Sequence, residues 1–201
     1  SPKRISALMR IIAPDRCDPR DAMNVQSKAT IPFETPRLRL RAFNVADKES
    51  LVAQLRDPMV SRQLAFVPHP YDASHAEAWI KDCVRNPPGK IVGCRLAIER
   101  REDAAFVGGL GLIPHARSFE LGYWLDRKYW GCGYATEAVG AAVDFGLTVL
   151  HMRQIVAFVF MGNPASTRVL SRLGFAYRGL DESTPDHKDR KVLRYDLARP
   201  A

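Results

Sequence analysis

The stretch from Glu120 to Ala142 limits what the chain can fold into more than any other part of it. Alternation of apolar with other residues predicts a strand that ends at Leu125. A glycine turn follows, Gly131-Cys132-Gly133, and alanines at helical spacing then predict a long helix from about Tyr134 to Leu150. Because N–H groups at a helix N-terminus lack partners within the helix, a strand, a glycine turn and a helix in this order favour phosphate binding.

Two well-known phosphate-binding patterns do not fit this turn. A Walker A loop has the form G-x-x-x-x-G-K-[ST], which the chain lacks. A dinucleotide-binding fingerprint, G-x-G-x-x-G, would place Thr136 at its third glycine. It would also need an acidic residue ~20 positions later, where Ile155 to Met161 has none. The turn therefore belongs to another class of phosphate site.

The composition is that of a folded protein with a basic surface. With 201 residues, 46% of them hydrophobic, the chain is long enough for one well-packed α/β domain and short for two. The net charge of +8 suits nucleic acid, an anionic cofactor or an acidic partner, and charge alone does not choose among them. No zinc finger, basic zipper or RNA-recognition signature is present in the sequence, so binding of nucleic acid is the least favoured of these functions.

The cysteine and histidine residues form no metal-binding pattern. The four cysteines are Cys17, Cys83, Cys94 and Cys132, without a C-x-x-C pair, and the five histidines are equally dispersed. We therefore expect neither a metal site nor a disulfide framework, and a reducing cytoplasm fits the chain best. No apolar run approaches the ~20 residues of a membrane span, so we expect no membrane partner.

The chain divides into a short leader and one domain. Residues 1–30 carry mixed charges, proline breaks and little periodicity, so we interpret them as a leader that is peripheral to the fold or flexible. Whether Met23 within this leader is the natural start stays open. The domain is expected to cover residues 31–201.

Periodicity predicts seven strands and four helices in the domain. The strands are expected near residues 38–42, 91–99, 106–113, 118–125, 154–160, 175–179 and 192–197, and the helices near 46–56, 74–85, 134–150 and 163–173. Ser74 with Glu77 predicts a capping box for the second helix, and Asn163 followed by Pro164 predicts the start of the fourth. This order of elements indicates an α/β fold with a mixed sheet.

The glycine turn and its surroundings resemble a known family. Lys128 to Ala135 has the form [basic or Gln]-x-x-G-x-G-x-A and is similar to the pyrophosphate-binding loop of the GNAT N-acetyltransferases. The longer string from Gly122 to Ala138 resembles the ribosomal-protein N-terminal acetyltransferases of the RimJ/RimL type. Asn163 to Phe175 and Glu34 to Arg41 are similar to further motifs of that family. The resemblance thus covers residues 33–197, essentially the whole domain.

The resemblance implies a fold and a co-substrate. The expected fold is α/β (α+β mixed sheet), the GNAT acyl-CoA N-acyltransferase fold, with a central mixed sheet that splays between its fourth and fifth strands and is flanked by helices. The expected acetyl donor is acetyl-CoA, whose pyrophosphate the backbone amides of the turn would hold. The residues implied in cofactor binding are Tyr123, Trp124, Leu125, Lys128, Trp130, Gly131, Cys132, Gly133, Tyr134, Ala135, Thr136, Asn163 and Ser166.

In the family, the pantetheine arm of CoA pairs with the central strand where that strand splays from the next one. Here the resemblance implies that Tyr123 to Leu125 face residues 156–160 across this opening. A backbone N–H near Trp124 or Leu125 would then stabilise the oxyanion.

Two side chains are candidates for the proton transfers. Glu120 shares a strand face with Gly122 and Trp124, and it would take the proton of the amine through a water molecule. The alternative for Glu120 is an exposed carboxylate or a salt-bridge partner. Ser166 would give a proton to the leaving thiolate, and the alternative is a serine that only caps its helix.

Two positions depart from the family pattern. Many members carry a tyrosine seven positions after the asparagine, where this chain has Leu170, so the thiolate leaves with the help of Ser166 or unassisted. Cys132 stands where relatives often have a basic or polar residue. A helix N-terminus can lower the pKa of a thiol, but direct transfer in a ternary complex needs no covalent cysteine.

The resemblance implies an N-acetyltransferase that acts on a primary amine, with a protein or peptide N-terminus as the first choice. A small-molecule amine, such as a polyamine or an aminoglycoside, and a non-catalytic acyl-CoA-binding sensor are the alternatives. Asp181, Glu182 and Asp186 either attract a cationic acceptor or form a solvated charged loop. The identity of the acceptor stays open, as does the choice between a monomer and a homodimer.

Overall fold

The described part of the chain is built on one mixed sheet of eight strands. A computed structural model describes residues 33–88, 94–115, 118–181 and 190–199. The strands are β1 (Phe33–Glu34), β2 (Leu38–Arg41), β3 (Cys94–Arg100), β4 (Phe106–His115), β5 (Ser118–Leu125), β6 (Gln154–Phe160), β7 (Ala176–Asp181) and β8 (Val192–Ala198). Their order across the sheet is β1-β2-β3-β4-β5-β6-β8-β7.

Helices cover both faces of this sheet. In the described ranges they are α1 (Lys48–Arg56), α2 (Pro58–Ser61), α3 (Ala73–Arg85), α4 (Tyr134–Thr148) and α5 (Pro164–Arg172). Short 3-10 turns at Val45–Asp47 and Arg127–Tyr129 precede α1 and α4. No helix in these ranges combines the length and the apolar composition that a membrane-spanning helix needs.

The sheet is antiparallel except where β5 meets β6. The parallel pairing of β5 with β6 is confined to Phe119 opposite Ile155 and Glu120 opposite Val156. Both strands continue past these pairs, β5 to Leu125 and β6 to Phe160. This confirms the predicted splay, between strands that are the fifth and sixth once the short β1 is counted.

Alternation along β5 gives its two faces different neighbours. Leu121 and Leu125 belong to the main core, to which α4 contributes Ala138 and Val139 and α5 contributes Leu170. Trp124 packs instead against a second core that holds residues of α1, α2 and α3. Successive side chains of a strand point to opposite faces, so a single strand joins both cores.

The predicted mixed sheet is confirmed, and each predicted strand and helix overlaps an observed one. Two short elements were missed, β1 and α2, because two and four residues do not establish a period. The predicted cap of the second helix is wrong. Asp72, not Ser74, is the N-cap of α3, since its carboxylate accepts hydrogen bonds from the N–H groups of Ser74 and His75.

Glu77, the other half of the predicted capping box, lies on the exposed side of α3 and pairs with Lys48 at 3.1 Å. His75 takes its place at the third helical position, where its Nδ1 accepts from the N–H of Asp72. The leader 1–30, the start of the predicted strand 91–99, and the acidic residues Glu182 and Asp186 lie outside the described residues.

Candidate active site

The glycine turn, Gly131 to Gly133, is exposed to solvent. Gly131 has φ of +77° and Gly133 has φ of +81°, a left-handed conformation that glycine adopts without strain. Gly133 is the N-cap of α4 and makes no side-chain cap, so the first N–H groups of the helix have no side-chain acceptor. A Cβ on Gly131 would meet nothing within 4 Å, which leaves room for a ligand against the backbone. The turn therefore has the geometry of an anion site.

An ion pair between Arg37 and Glu137 connects the start of β2 to the start of α4, beside the glycine turn. Glu137, in the first turn of α4, accepts hydrogen bonds from the Thr35 hydroxyl at 2.6 Å and from Arg37 Nε at 2.7 Å. Arg37 Nη1 also donates to the carbonyl oxygen of Cys132 at 3.0 Å. Burial alone would raise the pKa of Glu137, but the hydrogen bonds from Thr35 and Arg37 outweigh it and lower the pKa. Arg37 thus holds a positive charge beside the turn.

Three residues that hold the turn lie within the family motifs, although the motifs alone predict no role for them in the site. Thr35 and Arg37 belong to the opening motif, and Glu137 lies in the string that follows the turn. A pairing across 100 positions leaves no periodic signal in a single sequence.

Backbone groups of β5 point into the opening between β5 and β6, which we call the cleft. The N–H of Asp126 donates to the carbonyl of Val107 at 2.9 Å. Because hydrogen-bonded pairs alternate along an antiparallel ladder, the N–H of Trp124 is directed to β4, and those of Tyr123 and Leu125 are directed away from it. Pairing with β6 ends at Glu120, so the amides of Tyr123 and Leu125 face the cleft beyond the last sheet pair.

The side chains of the turn lie around the mouth of the cleft. The indole of Trp130 is 42% exposed, and its Nε1 donates to the carbonyl of Leu125 at 3.0 Å. Lys128 is exposed, 3.4 Å from Asp126 and over the ring of Tyr129. Tyr134 is buried beneath the guanidinium of Arg37, so only its backbone is available to a ligand. Ala135 and Thr136 follow it as half-buried residues of the first helical turn.

The Trp124 side chain lies on the far face of β5 from Tyr123. Its Nε1 donates to Gln54 Oε1 at 3.1 Å, and its ring stacks on Phe43. A Cβ on Gly109 would come within 2.1 Å of this ring, which explains a glycine opposite Trp124. Trp124 is therefore a packing residue, and with its amide directed to β4, Leu125 is the better of the two predicted oxyanion donors.

Tyr123 and Ser166 meet across the cleft. The hydroxyl oxygens of the two residues are 2.8 Å apart, which joins β5 to the first turn of α5. Asn163 is the N-cap of α5, as predicted, and its Oδ1 accepts from the N–H of Ser166 at 3.1 Å. Ser166 is half-buried, and its hydroxyl is separate from the capping bond. Leu170, one turn further along, is fully buried in the main core.

Glu120 lies on the opposite face of β5, beside His115 of β4. His115 Nδ1 is 3.5 Å from Glu120 Oε2, and the imidazole rests edge-on against Phe158 at 5.3 Å between ring centroids. The Glu120 side chain is 38% exposed. Burial of its carboxylate, and after it the negative charge of Asp181, raise the pKa of Glu120 to about 7.

The groups around His115, the neighbour of Glu120, favour the neutral form of its imidazole. Burial, and after it the positive charge of Arg194, lower the pKa of His115, while Asp181 acts in the opposite direction. Arg194 itself is paired with Asp196 at 2.9 Å. Glu120 is therefore a carboxylate that exchanges a proton near neutral pH, which is the property of a general base.

Cys132 is exposed in the glycine turn, and its Sγ lies 3.7 Å from the carbonyl oxygen of Trp130. In the described ranges, no group of three or more histidine, cysteine or acidic side chains is arranged to hold a metal ion.

The residues of the site fit acetyl-CoA. The glycine turn offers amides and the charge of Arg37 to a pyrophosphate. The cleft offers strand amides that are directed away from β4 to an extended amide-containing arm, and Tyr123 and Ser166 meet across it.

Comparison with known proteins agrees with this arrangement. Residues 37–176 match the family described as an acetyltransferase (GNAT) domain. The chain is 32% identical over 164 residues to an uncharacterized N-acetyltransferase, p20, of Bacillus licheniformis, which is 80% of this chain and 91% of that protein. It is 31% identical over 160 residues to YkkB of Bacillus subtilis (strain 168), covering 77% of this chain and 88% of that protein.

Solved structures share the fold. An acetyltransferase (GNAT family) from Bacillus anthracis superposes with a TM-score of 0.72 at 19% identity, covering 84% of this chain and 99% of that one. The ribosomal-protein-S5-alanine acetyltransferase of Vibrio fischeri gives 0.70 at 16% identity, over 85% and 97%. Spermidine N-acetyltransferase of Vibrio cholerae, in complex with CoA and spermine, gives 0.68 at 19% identity, over 82% and 97%.

Proposed function

Since the chain belongs to the GNAT acetyltransferase family and is an acetyl-CoA-dependent N-acetyltransferase, we propose that its acceptor is the α-amino group of a protein or peptide, acetylated by direct transfer in a ternary complex. The observation that carries this proposal is the position of the Glu120 carboxylate, at the last pair of β5 with β6 and 3.5 Å from His115, where its pKa is raised to about 7. An α-amino group has a pKa of ~7.7–8.0, whereas a lysine-like alkylamine has a pKa of ~10.4. The carboxylate is therefore matched to the weaker base.

The proposed mechanism places binding and chemistry on neighbouring groups. The amides of Gly133 to Thr136 and the guanidinium of Arg37 hold the pyrophosphate of acetyl-CoA. The N–H of Leu125 donates to the thioester oxygen and stabilises the negative charge that develops there.

Two side chains then move the protons. Glu120 accepts the proton of the attacking amine through a water molecule, which leaves the nitrogen lone pair free to attack the acetyl carbon. Ser166 donates a proton to the sulfur as the carbon–sulfur bond breaks. Cys132 takes no part, because the acetyl group passes directly from sulfur to nitrogen.

A small-molecule polyamine is the second candidate acceptor. Asp181 adds a second negative charge in the field of Glu120, as recognition of a polycation requires. The spermidine N-acetyltransferase among the structural neighbours shows that the fold accommodates such a substrate in another protein. An aminoglycoside would be attracted by the same charges.

We propose that the enzyme acts in the cytoplasm. The described cysteines Cys83, Cys94 and Cys132 are free thiols, in keeping with a reducing compartment.

A panel of acceptors tests the proposed substrate class. The release of CoA thiol is measured with saturating acetyl-CoA and a peptide with a free N-terminus, the same peptide with a blocked N-terminus and an internal lysine, spermidine, or an aminoglycoside. We expect at least tenfold higher kcat/KM for the free N-terminus, with the acetyl group located there by mass spectrometry. Preference for spermidine or the aminoglycoside would replace the peptide proposal, and CoA binding without turnover on any acceptor would favour a sensor.

A further inference from the structure

The bond between Tyr123 and Ser166 is the contact that the proposed mechanism leaves unexplained. It joins two hydroxyl groups, 2.8 Å apart, one on β5 and one in the first turn of α5, the helix that follows β6. Both residues are half-buried, so neither hydroxyl is fully solvated. Asn163 already satisfies the N–H of Ser166, and the helix start therefore does not need the hydroxyl.

The acidities of the two groups differ in a way that matters for a leaving thiolate. A thiol has a pKa of ~8.5 and a phenol ~10, so the acidity of a tyrosine is much closer to that of the thiol than the acidity of a serine is. The aliphatic hydroxyl of serine is a far weaker acid than either, and alone it is a poor proton source. Leu170, at the position where many relatives have a tyrosine, is apolar and fully buried in the core, so it cannot donate a proton.

Building on the proposed function, we propose that Tyr123 is the proton source for the leaving thiolate and acts through the hydroxyl of Ser166. The amine nitrogen bonds to the acetyl carbon, the carbon–sulfur bond breaks, and its electron pair stays on sulfur. The Ser166 proton passes to sulfur while the Tyr123 proton passes to the Ser166 oxygen. The phenolate then regains a proton from solvent. Glu120 in turn releases to solvent the proton that it took from the amine.

The surroundings of Tyr123 keep its phenol protonated. Burial raises the pKa of the phenol, and the hydrogen bond with Ser166 acts against this rise, so the net pKa lies above its ordinary value. The phenol is therefore protonated before each turnover. Because Tyr123 reaches the sulfur through Ser166, it is a positioning and relay residue.

A second tyrosine–hydroxyl pair on the same helix supplies a matched control. Tyr195 of β8 donates to Thr167 Oγ1 at 3.4 Å, one residue along α5 from Ser166. Tyr195 is buried in the main core and lies away from β5. Tyr195→Phe removes a phenol hydroxyl that is bonded to the same helix, without touching the proposed relay.

The kinetic test compares these two substitutions. We expect Tyr123→Phe to lower kcat ~100-fold, the usual scale of one proton-transfer group, with the affinity for CoA unchanged. The double variant Tyr123→Phe/Ser166→Ala should lose no more kcat than Ser166→Ala alone, because either substitution by itself already interrupts the relay. An unchanged kcat in Tyr123→Phe, or additive losses in the double variant, would overturn the proposal.

A spectroscopic test does not depend on turnover. A 3-fluorotyrosine placed at position 123 gives a fluorine resonance that we expect to shift when CoA binds and when Ser166 is replaced by alanine. The same label at position 195 should stay unchanged in both experiments. If the resonance at position 123 shifted neither on CoA binding nor in the Ser166→Ala variant, the relay would be refuted. This outcome counts even if no acceptor in the panel were acetylated.

The fluorinated protein also has a kinetic readout. Fluorine makes the phenol more acidic, so the alkaline limb of the kcat profile should move to lower pH with the label at position 123 and stay in place with the label at position 195. An alkaline limb that does not move at position 123 would contradict the transfer of a proton from Tyr123.

Discussion

The two faces of β5 differ in what they need from the rest of the chain. On one face, Tyr123 meets a hydroxyl of α5 by a direct hydrogen bond across the cleft. On the other, Glu120 faces His115 and the charge of Asp181, beyond the region where Trp124 packs against the helices. Because side chains alternate along a strand, β5 alone places the proposed acid and the proposed base on opposite faces. Each face can be changed without the other.

The largest expected effect is on the Glu120 face. Glu120→Gln removes the proposed general base and should lower kcat/KM ~10²–10⁴-fold near neutral pH, while the affinity for CoA stays the same. Steady-state kinetics together with a calorimetric CoA titration measure both. Glu77→Gln, an exposed carboxylate on α3, is the control and should leave activity unchanged. Full activity of Glu120→Gln would place the base elsewhere.

The glycine turn serves both faces, so its loss should affect binding before chemistry. Gly133→Glu places a Cβ at a residue with φ of +81°, 3.3 Å from Arg37 Nη2, and adds a negative charge where the pyrophosphate is proposed to bind. Two charge-assisted hydrogen bonds at ~1.5–3 kcal/mol each correspond to at least ~100-fold weaker binding of CoA.

Gly174→Glu is the control for Gly133→Glu. Gly174 has a similar φ of +82° but lies just after the C-terminal end of α5, outside the glycine turn. It is expected to cost stability without weakening CoA binding. A folded Gly133→Glu protein with unchanged affinity for CoA would remove the turn from the site.

A smaller change sharpens the account of Glu120. Because the charge of Asp181 contributes to the raised pKa of Glu120, Asp181→Asn should make the carboxylate ionise more easily. The acid limb of kcat/KM should therefore move to lower pH by a fraction of a unit. Asp144→Asn, an exposed residue of α4, should leave the limb in place. Movement toward higher pH would reverse the sign of the proposed interaction.

The smallest effect separates packing from binding. Trp124→Phe loses the bond to the buried Gln54 and should lower the free energy of unfolding by ~1–3 kcal/mol without changing the affinity for CoA. Trp130→Phe should do the reverse, since its exposed indole lies at the cleft mouth. Chemical denaturation and CoA titration distinguish the two. Equal effects on affinity would mean that Trp124 also contacts the cofactor.

Much of the fold could be predicted because its signals are local. Alternation in β5, the glycines of the turn and the Asn163 cap each lie within a few residues, and the structure places all three where the pattern indicates. The cap of α3 was harder, because Asp72 and Ser74 are both good N-cap residues two positions apart. Only the positions of the N–H groups choose between them.

The chemistry of the candidate site depends on contacts between distant positions. Tyr123 and Ser166 are 43 positions apart, and the sequence assigned them separate roles, a pantetheine contact and an acid. The environment of Glu120 comes from β4, β7 and β8, whose register no single sequence gives. The roles of Glu120 and Ser166 stay predictions.

The most direct test of the account is the pH dependence of kcat/KM for the wild-type protein with a peptide acceptor, measured beside Glu120→Gln. The account predicts that wild-type activity rises through an apparent pKa of about 7 as Glu120 ionises, and that this limb is absent from the residual activity of the variant. If this limb of the pH profile persisted unchanged in Glu120→Gln, it would contradict the assignment of Glu120 as the base. It would also contradict the proposal that the acid and the base lie on opposite faces of β5.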